Sequence, residues 1–235
     1  MTMPSYQTKL ESIAISGVNN LLIRSLLDRR QYYDPKGIAL RLGIGPAVWP
    51  LFGLLWPSAV HLAAHLARRP VCPDEKILEV GCGLGLASLV GHQRGARITA
   101  SDCHPMAEEF LRENLRLNEL CASLKYRHGQ WGLGQPLTHE QAGRAVLTGR
   151  YDLVIGSDLL YDRDMPQALA TFIDQHARSD AEVWIVDQDR GYRPAFNRHM
   201  ADYGFELFKD KRLAQHPPEG QGGTPYKGRL LKYQR

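Results

Sequence analysis

The sequence predicts an α/β fold of alternating strands and helices, and three features carry that prediction. The first is Lys76-Ile77-Leu78-Glu79-Val80-Gly81-Cys82-Gly83-Leu84-Gly85, an apolar run that ends in an acidic residue and three alternating glycines. Glycine admits positive φ and lets backbone approach a ligand closely. The stretch therefore reads as a strand running into a nucleoside-holding turn, with a helix opening over Leu84 to Val90 whose N-terminus faces the ligand. The second is Ala96-Arg97-Ile98-Thr99-Ala100, a short strand ending in Ser101-Asp102. The third is Tyr151-Asp152-Leu153-Val154-Ile155-Gly156-Ser157-Asp158-Leu159-Leu160-Tyr161, an apolar strand that stops in a polar and aromatic cluster.

Along the chain, residues 1 to 45 hold two apolar triplets around Asn19-Asn20 and then a polar run to Pro35, which predicts an N-terminal hairpin or helix pair docked on the core and forming part of the substrate mouth. The main domain is expected over 46–235. Ile44 to Ala67 is the one stretch apolar enough to suggest a membrane, but Pro46, Pro50 and Pro57 interrupt it, so a span is not expected. His61 and His65 are spaced four apart, a separation that suits a metal on a helix. With no third ligand nearby they read as packed or surface histidines. A third strand is expected at Leu124 to Arg127, followed by a glycine-rich connection from Gly129 to Gly149.

Downstream, Gln167 to Arg178 reads as a helix, Glu182 to Val186 as a buried strand, and Tyr192 to Tyr203 as a helix closed by Gly204. Phe205 to Phe208 and Gly228 to Tyr233 form a closing antiparallel pair. The intervening His216 to Pro225 cannot continue a strand and is a candidate lid over the ligand end of the sheet.

The glycine spacing narrows the ligand. A dinucleotide fingerprint needs G-x-G-x-x-G, whereas here the third glycine arrives one residue early, and no Gly-Lys-Ser/Thr follows as a P-loop requires. Asp102 follows the turn by about 20 residues, where a carboxylate accepts two hydrogen bonds from a ribose diol. Its alternative role is to cap a helix that begins at Pro105. Glu79-x-Gly81-x-Gly83-x-Gly85 resembles motif I of the class I S-adenosylmethionine-dependent methyltransferases. Asp158-Leu159-Leu160-Tyr161 resembles the D-x-x-Y signature of their family 16, a group made up largely of protein lysine methyltransferases. Trp56-Pro57-Ser58-Ala59, Asn114 with Asn118, and Gln130-Trp131-Gly132 match further segments of that family in the same order.

The resemblance implies a doubly wound, mostly parallel sheet of seven strands in the order 3-2-1-4-5-7-6, the last antiparallel. It implies S-adenosylmethionine as cofactor, held by Trp56, Glu79, Gly81, Gly83, Gly85, Asp102, Trp131 and Ser157. Asp158 and Tyr161 are the implied catalytic pair, and the acceptor is a lysine side chain of a protein. N-methylation of a nucleic-acid base or a small-molecule amine is an alternative, since the D/N-P-P-Y motif occupies the same place; Leu159 and Leu160 stand where that motif has prolines. A non-enzymatic cofactor-binding protein is the third reading.

Composition agrees with an ordinary soluble globular protein: 235 residues, 43% hydrophobic and 23% charged, with a formal charge of +4. The basic residues are scattered pairs, so no nucleic-acid partner is called for. Cys72, Cys82, Cys103 and Cys121 form no C-x-x-C pair, which predicts reduced thiols, no structural metal and a cytoplasmic location. The expected form is a monomer. A lysine amine has a reference pKa of about 10.4, so the site has to desolvate it or take its proton before attack. Asp158 and Tyr161 are placed to aim the amine. Asp187, at the end of the fifth strand, is a weaker candidate that caps the next helix.

Overall fold

The computed structural model describes residues 6–131, 145–213 and 226–235. The candidate lid at 216–225 and most of the connection between Gly129 and Gly149 lie outside them. The order is β1 (Thr8–Ile13), β2 (Leu21–Leu26), α1 (Ile38–Arg41), a 3-10 helix (Trp49–Gly53), α2 (Pro57–Ala67), β3 (Lys76–Val80), α3 (Leu86–Gln93), β4 (Arg97–Asp102), α4 (Ala107–Leu117) and β5 (Lys125–His128). There follow β6 (Tyr151–Ser157), α5 (Met165–His176), β7 (Ala177–Asp187), α6 (Arg193–Asp202), β8 (Glu206–Arg212) and β9 (Arg229–Gln234).

Seven strands form one sheet in the order β5-β4-β3-β6-β7-β9-β8, with β9 antiparallel to both its neighbours, which is the expected topology. Strand order reverses between β3 and β6, so the ends of these two strands open the crevice in which open α/β sheets hold ligands. Alternation along β3 sends Ile77 into the apolar layer that includes Leu62, Leu66, Leu89 and Phe110. It sends Leu78 and Val80 into the opposite layer, with Leu169, Ile173, Phe196 and Met200. Both faces of the central strands are thereby buried, as a parallel sheet demands.

The N-terminal segment is a β-hairpin, with Ser12 opposite Leu22 and Leu10 opposite Arg24. On β2 the alternate residues Leu21, Ile23 and Ser25 are buried. Asn114 on α4 and Asn118 at its C-cap, one turn apart, bind its outer edge: their Oδ1 atoms accept the backbone N–H of Arg24 and Leu22, each at 2.8 Å. The apolar stretch from Ile44 breaks into the 3-10 helix and α2, and no helix among the described residues is long and apolar enough to cross a membrane.

The largest departures from the expected boundaries lie at the start of β7 and the end of β8. α5 ends at His176, two residues early, and β7 begins at Ala177, because the polar residues Arg178 to Asp180 continue as exposed strand after an irregular register step opposite Tyr151. β8 runs on to Arg212; an edge strand exposed on both faces carries no apolar alternation that a sequence reading could follow.

Candidate active site

The turn after β3 is shaped by left-handed backbone: φ is 61° at Gly81 and 50° at Gly83. A side chain is excluded there sterically as well. A Cβ on Gly81 would stand 2.4 Å from Leu159 Cδ2, and one on Gly83 would stand 2.7 Å from the Phe52 carbonyl oxygen. The turn is tied to the next strand, because Cys82 N–H donates to the Ser101 carbonyl at 3.0 Å and Gly83 N–H to Asp102 Oδ2 at 2.8 Å.

Asp102 therefore sits at the end of β4 beside the turn, as expected, and its Oδ1 accepts the His104 N–H at 2.8 Å. It is 6% exposed. Burial raises its pKa, and the amides of His104 and Gly83 oppose the rise. A carboxylate has about four acceptor positions in all, more than these two amides engage. Glu79 faces inward instead: fully buried, it accepts the backbone N–H of Ser88 at 2.7 Å together with the Ser88 hydroxyl, and so caps α3, whose N-cap Gly85 has no side chain to do it. Burial pushes its pKa up to about 7.

Trp131 lies over the same turn, since a Cβ on Gly81 would be 3.1 Å from its ring, and its other side packs on Phe172 with ring centroids 5.2 Å apart. Trp56 stands elsewhere. Its Nε1 donates to the Leu51 carbonyl at 2.9 Å, Arg29 lies over its ring, and together with Leu54, Asp28, Lys9 and Gln188 it lines an open groove of about 510 Å³ between the hairpin and α2.

At the end of β6, Ser157 is the last strand residue and pairs with Val186. Asp158 then takes φ of 56°, a left-handed conformation that costs a residue with a Cβ about 1–2 kcal/mol. The strained turn is fixed by its partners. Asp158 N–H donates to the Val186 carbonyl at 2.9 Å, Gln188 Nε2 donates to Oδ2 at 3.2 Å, and Arg190 pairs with Oδ1 at 3.4 Å. Burial raises the Asp158 pKa, against the hydrogen-bonding influence of Ser58 and the charge of Arg190. Tyr161 is 43% exposed, and its phenol, raised to about 12 by burial, feels Cys103 and Asp102. The two signature residues thus flank the crevice from different sides, and among the described residues no hydrogen bond joins them.

Asp187 is 1% exposed and caps no helix; its Oδ2 accepts the Asp189 N–H at 2.6 Å. Burial, with Asp158 adding to it, raises its pKa to about 6. His61 and His65 are partly buried on α2, and no group of metal-ligating side chains occurs among the described residues. Ser58, Gln188, Arg190 and Tyr226 join the site without any sequence signal of their own, apart from Ser58, which occupies the variable position of Trp56-Pro57-x-Ala59.

The sequence matches the lysine methyltransferase family over residues 51–203. The chain belongs to this family. The span includes the glycine turn, Asp102 and the Asp158 turn. Among curated relatives, the electron transfer flavoprotein beta subunit lysine methyltransferase of Xenopus laevis is 27% identical over 155 residues, covering 62% of this chain and 56% of that protein. The protein-lysine N-methyltransferase EFM3 of Chaetomium thermophilum is 32% identical over 187 residues, covering 72% and 54%. The chain thus spans about half the length of the curated relatives it matches. The crystal structure of ribosomal protein L11 methylase from Lactobacillus delbrueckii subsp. bulgaricus shares the fold, with a TM-score of 0.55 at 20% identity over 77% of this chain and 80% of that one.

Proposed function

We propose that this lysine methyltransferase family member is an S-adenosylmethionine-dependent N-methyltransferase that modifies a lysine side chain of a protein. The observation that carries the reading is Asp158, a carboxylate held in a strained turn at the end of β6, next to the strand that bears the glycine turn. Strain kept at a ligand crevice by several converging partners marks a functional position.

The residues present fit an adenosyl cofactor. Asp102 offers ribose acceptors, the left-handed turn at Gly81 and Gly83 offers close backbone approach, and the Trp131 ring over Gly81 offers an apolar wall. Glu79 and Gly85 support that turn from behind by organising the start of α3, and Ser157 is assigned to the edge of the same site, whereas Trp56 lines the neighbouring groove between the hairpin and α2. When bound, the cofactor supplies a methyl group on a sulfonium.

The protein's own residues deal with the amine. Asp158 accepts a hydrogen bond from the acceptor Nζ and aims its lone pair; its raised pKa, with Arg190 supplying only one balancing cation beside Asp158 and Asp187, favours receiving the proton that the ammonium must lose. Tyr161, neutral at physiological pH, lines the opposite wall of the channel.

The reading extends to a single domain over 46–235, with residues 1–45 shaping the substrate mouth, and to a monomer working in the cytoplasm. The described cysteines are all free, in keeping with a reducing compartment. The test is transfer of tritiated methyl from S-adenosylmethionine into a cell extract by the intact protein and by Asp158→Ala. A labelled protein that yields methyl-lysine on hydrolysis and is lost in the variant is the expected result. Label in nucleic acid or small molecules, or equal labelling by both proteins, overturns it.

A further inference from the structure

The groove between the hairpin and α2 reaches the Asp158 turn at one end. Gln188 stands there: it lines the groove and donates from Nε2 to Asp158 Oδ2 at 3.2 Å, so groove and carboxylate share one side chain. The apolar lining is Leu26 from the end of β2, with Leu54, Leu55 and Trp56 ahead of α2 and Pro57 at its start. At about 510 Å³ the groove holds more than one lysine side chain, which leaves room for the residues on either side of it.

The charges along the groove are Lys9, Glu11, Asp28 and Arg29. Lys9 Nζ pairs with Glu11 at 2.9 Å, and the two cancel. Asp28 turns back on its own segment, where Oδ1 accepts the Arg30 N–H at 2.7 Å and Gln31 Nε2 at 3.2 Å. Arg29 is left over. Its guanidinium carbon lies over the Trp56 ring, 5.1 Å from the centroid, and among the described residues it has neither a carboxylate partner nor a hydrogen bond. A guanidinium held over an indole keeps its fork of N–H donors free for a carboxylate. Beside an apolar lining, an unmatched arginine attracts an acidic side chain of a partner and repels a basic one.

We propose that this groove holds the segment of the substrate protein that flanks the acceptor lysine, and that Arg29 selects an acidic side chain in that segment. The formal charge of +4 on the whole chain acts in the same direction, drawing an acidic partner toward the surface before it docks. Gln188 joins the two functions of the crevice: a segment seated against it lies next to the carboxylate that aims the amine. Arg29 makes no contact with Asp158 among the described residues, so its role is selection of the substrate and not chemistry on it.

The inference rests on the reading of Asp158 as the carboxylate at the acceptor, but its test reads binding and not turnover. The full chain is labelled with 15N, and Trp56→Phe identifies the Trp56 indole signal among those of the 4 tryptophans. Two synthetic peptides with one central lysine are titrated in, one with glutamates on both sides of the lysine and one with arginines. The glutamate peptide is expected to move the Trp56 signal and to bind about tenfold more tightly than the arginine peptide. Arg29→Glu, at an exposed position, is expected to remove that preference or invert it. A Trp56 signal that stays in place, equal affinities for the two peptides, or a preference that survives Arg29→Glu overturns the proposal. Failure of the functional reading shows separately, in the tritium assay: an Arg29-dependent preference without methyl-lysine formation would keep the groove as a surface for acidic peptides and remove only the methyl transfer.

Discussion

Asn114 Oδ1 accepts the backbone N–H of Arg24 at 2.8 Å, so a helix side chain takes the place of a missing strand partner along the outer edge of the hairpin. Asn118 repeats the contact one turn later and returns a bond from Nδ2 to the Leu22 carbonyl at 2.8 Å. The pair docks the hairpin on α4 by backbone groups, which makes the contact independent of the β2 side chains.

Removing both amides, Asn114→Ala with Asn118→Ala, leaves the Leu22 and Arg24 amides without acceptors at about 1–3 kcal/mol each. Hydrogen exchange at those two amides is expected to accelerate far more than exchange in β3 or β6, because the hairpin opens before the sheet does. Uniform acceleration across the sheet would mean that the hairpin and the core unfold as one unit.

Leu159 fits against the two glycines Gly81 and Gly156: a Cβ on either would come within 2.4 Å and 2.7 Å of its methyl groups. The side chain that follows Asp158 is thus seated on the turn that follows β3. Gly81→Ala is expected to lower stability by about 2–4 kcal/mol, from overpacking plus the left-handed φ. Shortening the partner in Leu159→Ala relieves the clash, so the double variant is expected to be at least about 1 kcal/mol more stable than the sum of the singles, read by urea unfolding. Strict additivity would show that the backbone shifts to absorb the methyl group.

This contact marks the limit of what the sequence discloses. The alternating glycines were legible because left-handed backbone has few chemical solutions, and the strands around them because buried parallel strands are continuous apolar runs. Asp158 itself was legible as the polar end of such a run. Its partners were not: Gln188 and Arg190 lie 30 and 32 residues away, and only the packing of the loop after β7 against the end of β6 brings them together. Glu79 was assigned to the ligand because of its place in the motif. Its inward rotamer and its bond to Ser88 depend on where α3 begins, which is at Leu86 rather than Leu84. Asn114 was legible as a family match on the buried face of its helix, but its bond to the hairpin backbone, 90 residues away in sequence, was not.

Glu79 also gives the protein a pH dependence. Its native pKa is about 7 against 4.5 for the free group, so the folded state holds a proton that the unfolded chain has released between these values. The contribution to stability is complete below pH 4.5 and is lost as pH rises through about 7. Glu79→Gln keeps an acceptor for the Ser88 N–H and removes the titration. Urea unfolding at pH 5 and pH 8 is expected to show a fall with pH in the intact protein, by about 1–3 kcal/mol, and a smaller one in the variant. Parallel pH profiles would place the titration on Asp102, the other buried carboxylate beside the turn, whose pKa is raised in the same direction.

Asp102 combines two tasks, and a single substitution separates them. Its oxygens brace the Gly83 and His104 amides, and the same carboxylate is the assigned ribose acceptor. Asp102→Asn turns one acceptor into a donor facing an N–H group. A stability loss of about 1–3 kcal/mol is therefore expected whether or not the residue touches the cofactor. Calorimetric titration with S-adenosylhomocysteine adds the second readout, with binding expected to weaken more than tenfold at a temperature where the variant is fully folded. If stability falls while affinity holds, Asp102 serves only as the brace of the glycine turn, and the ribose is held by backbone groups that the brace sets in place.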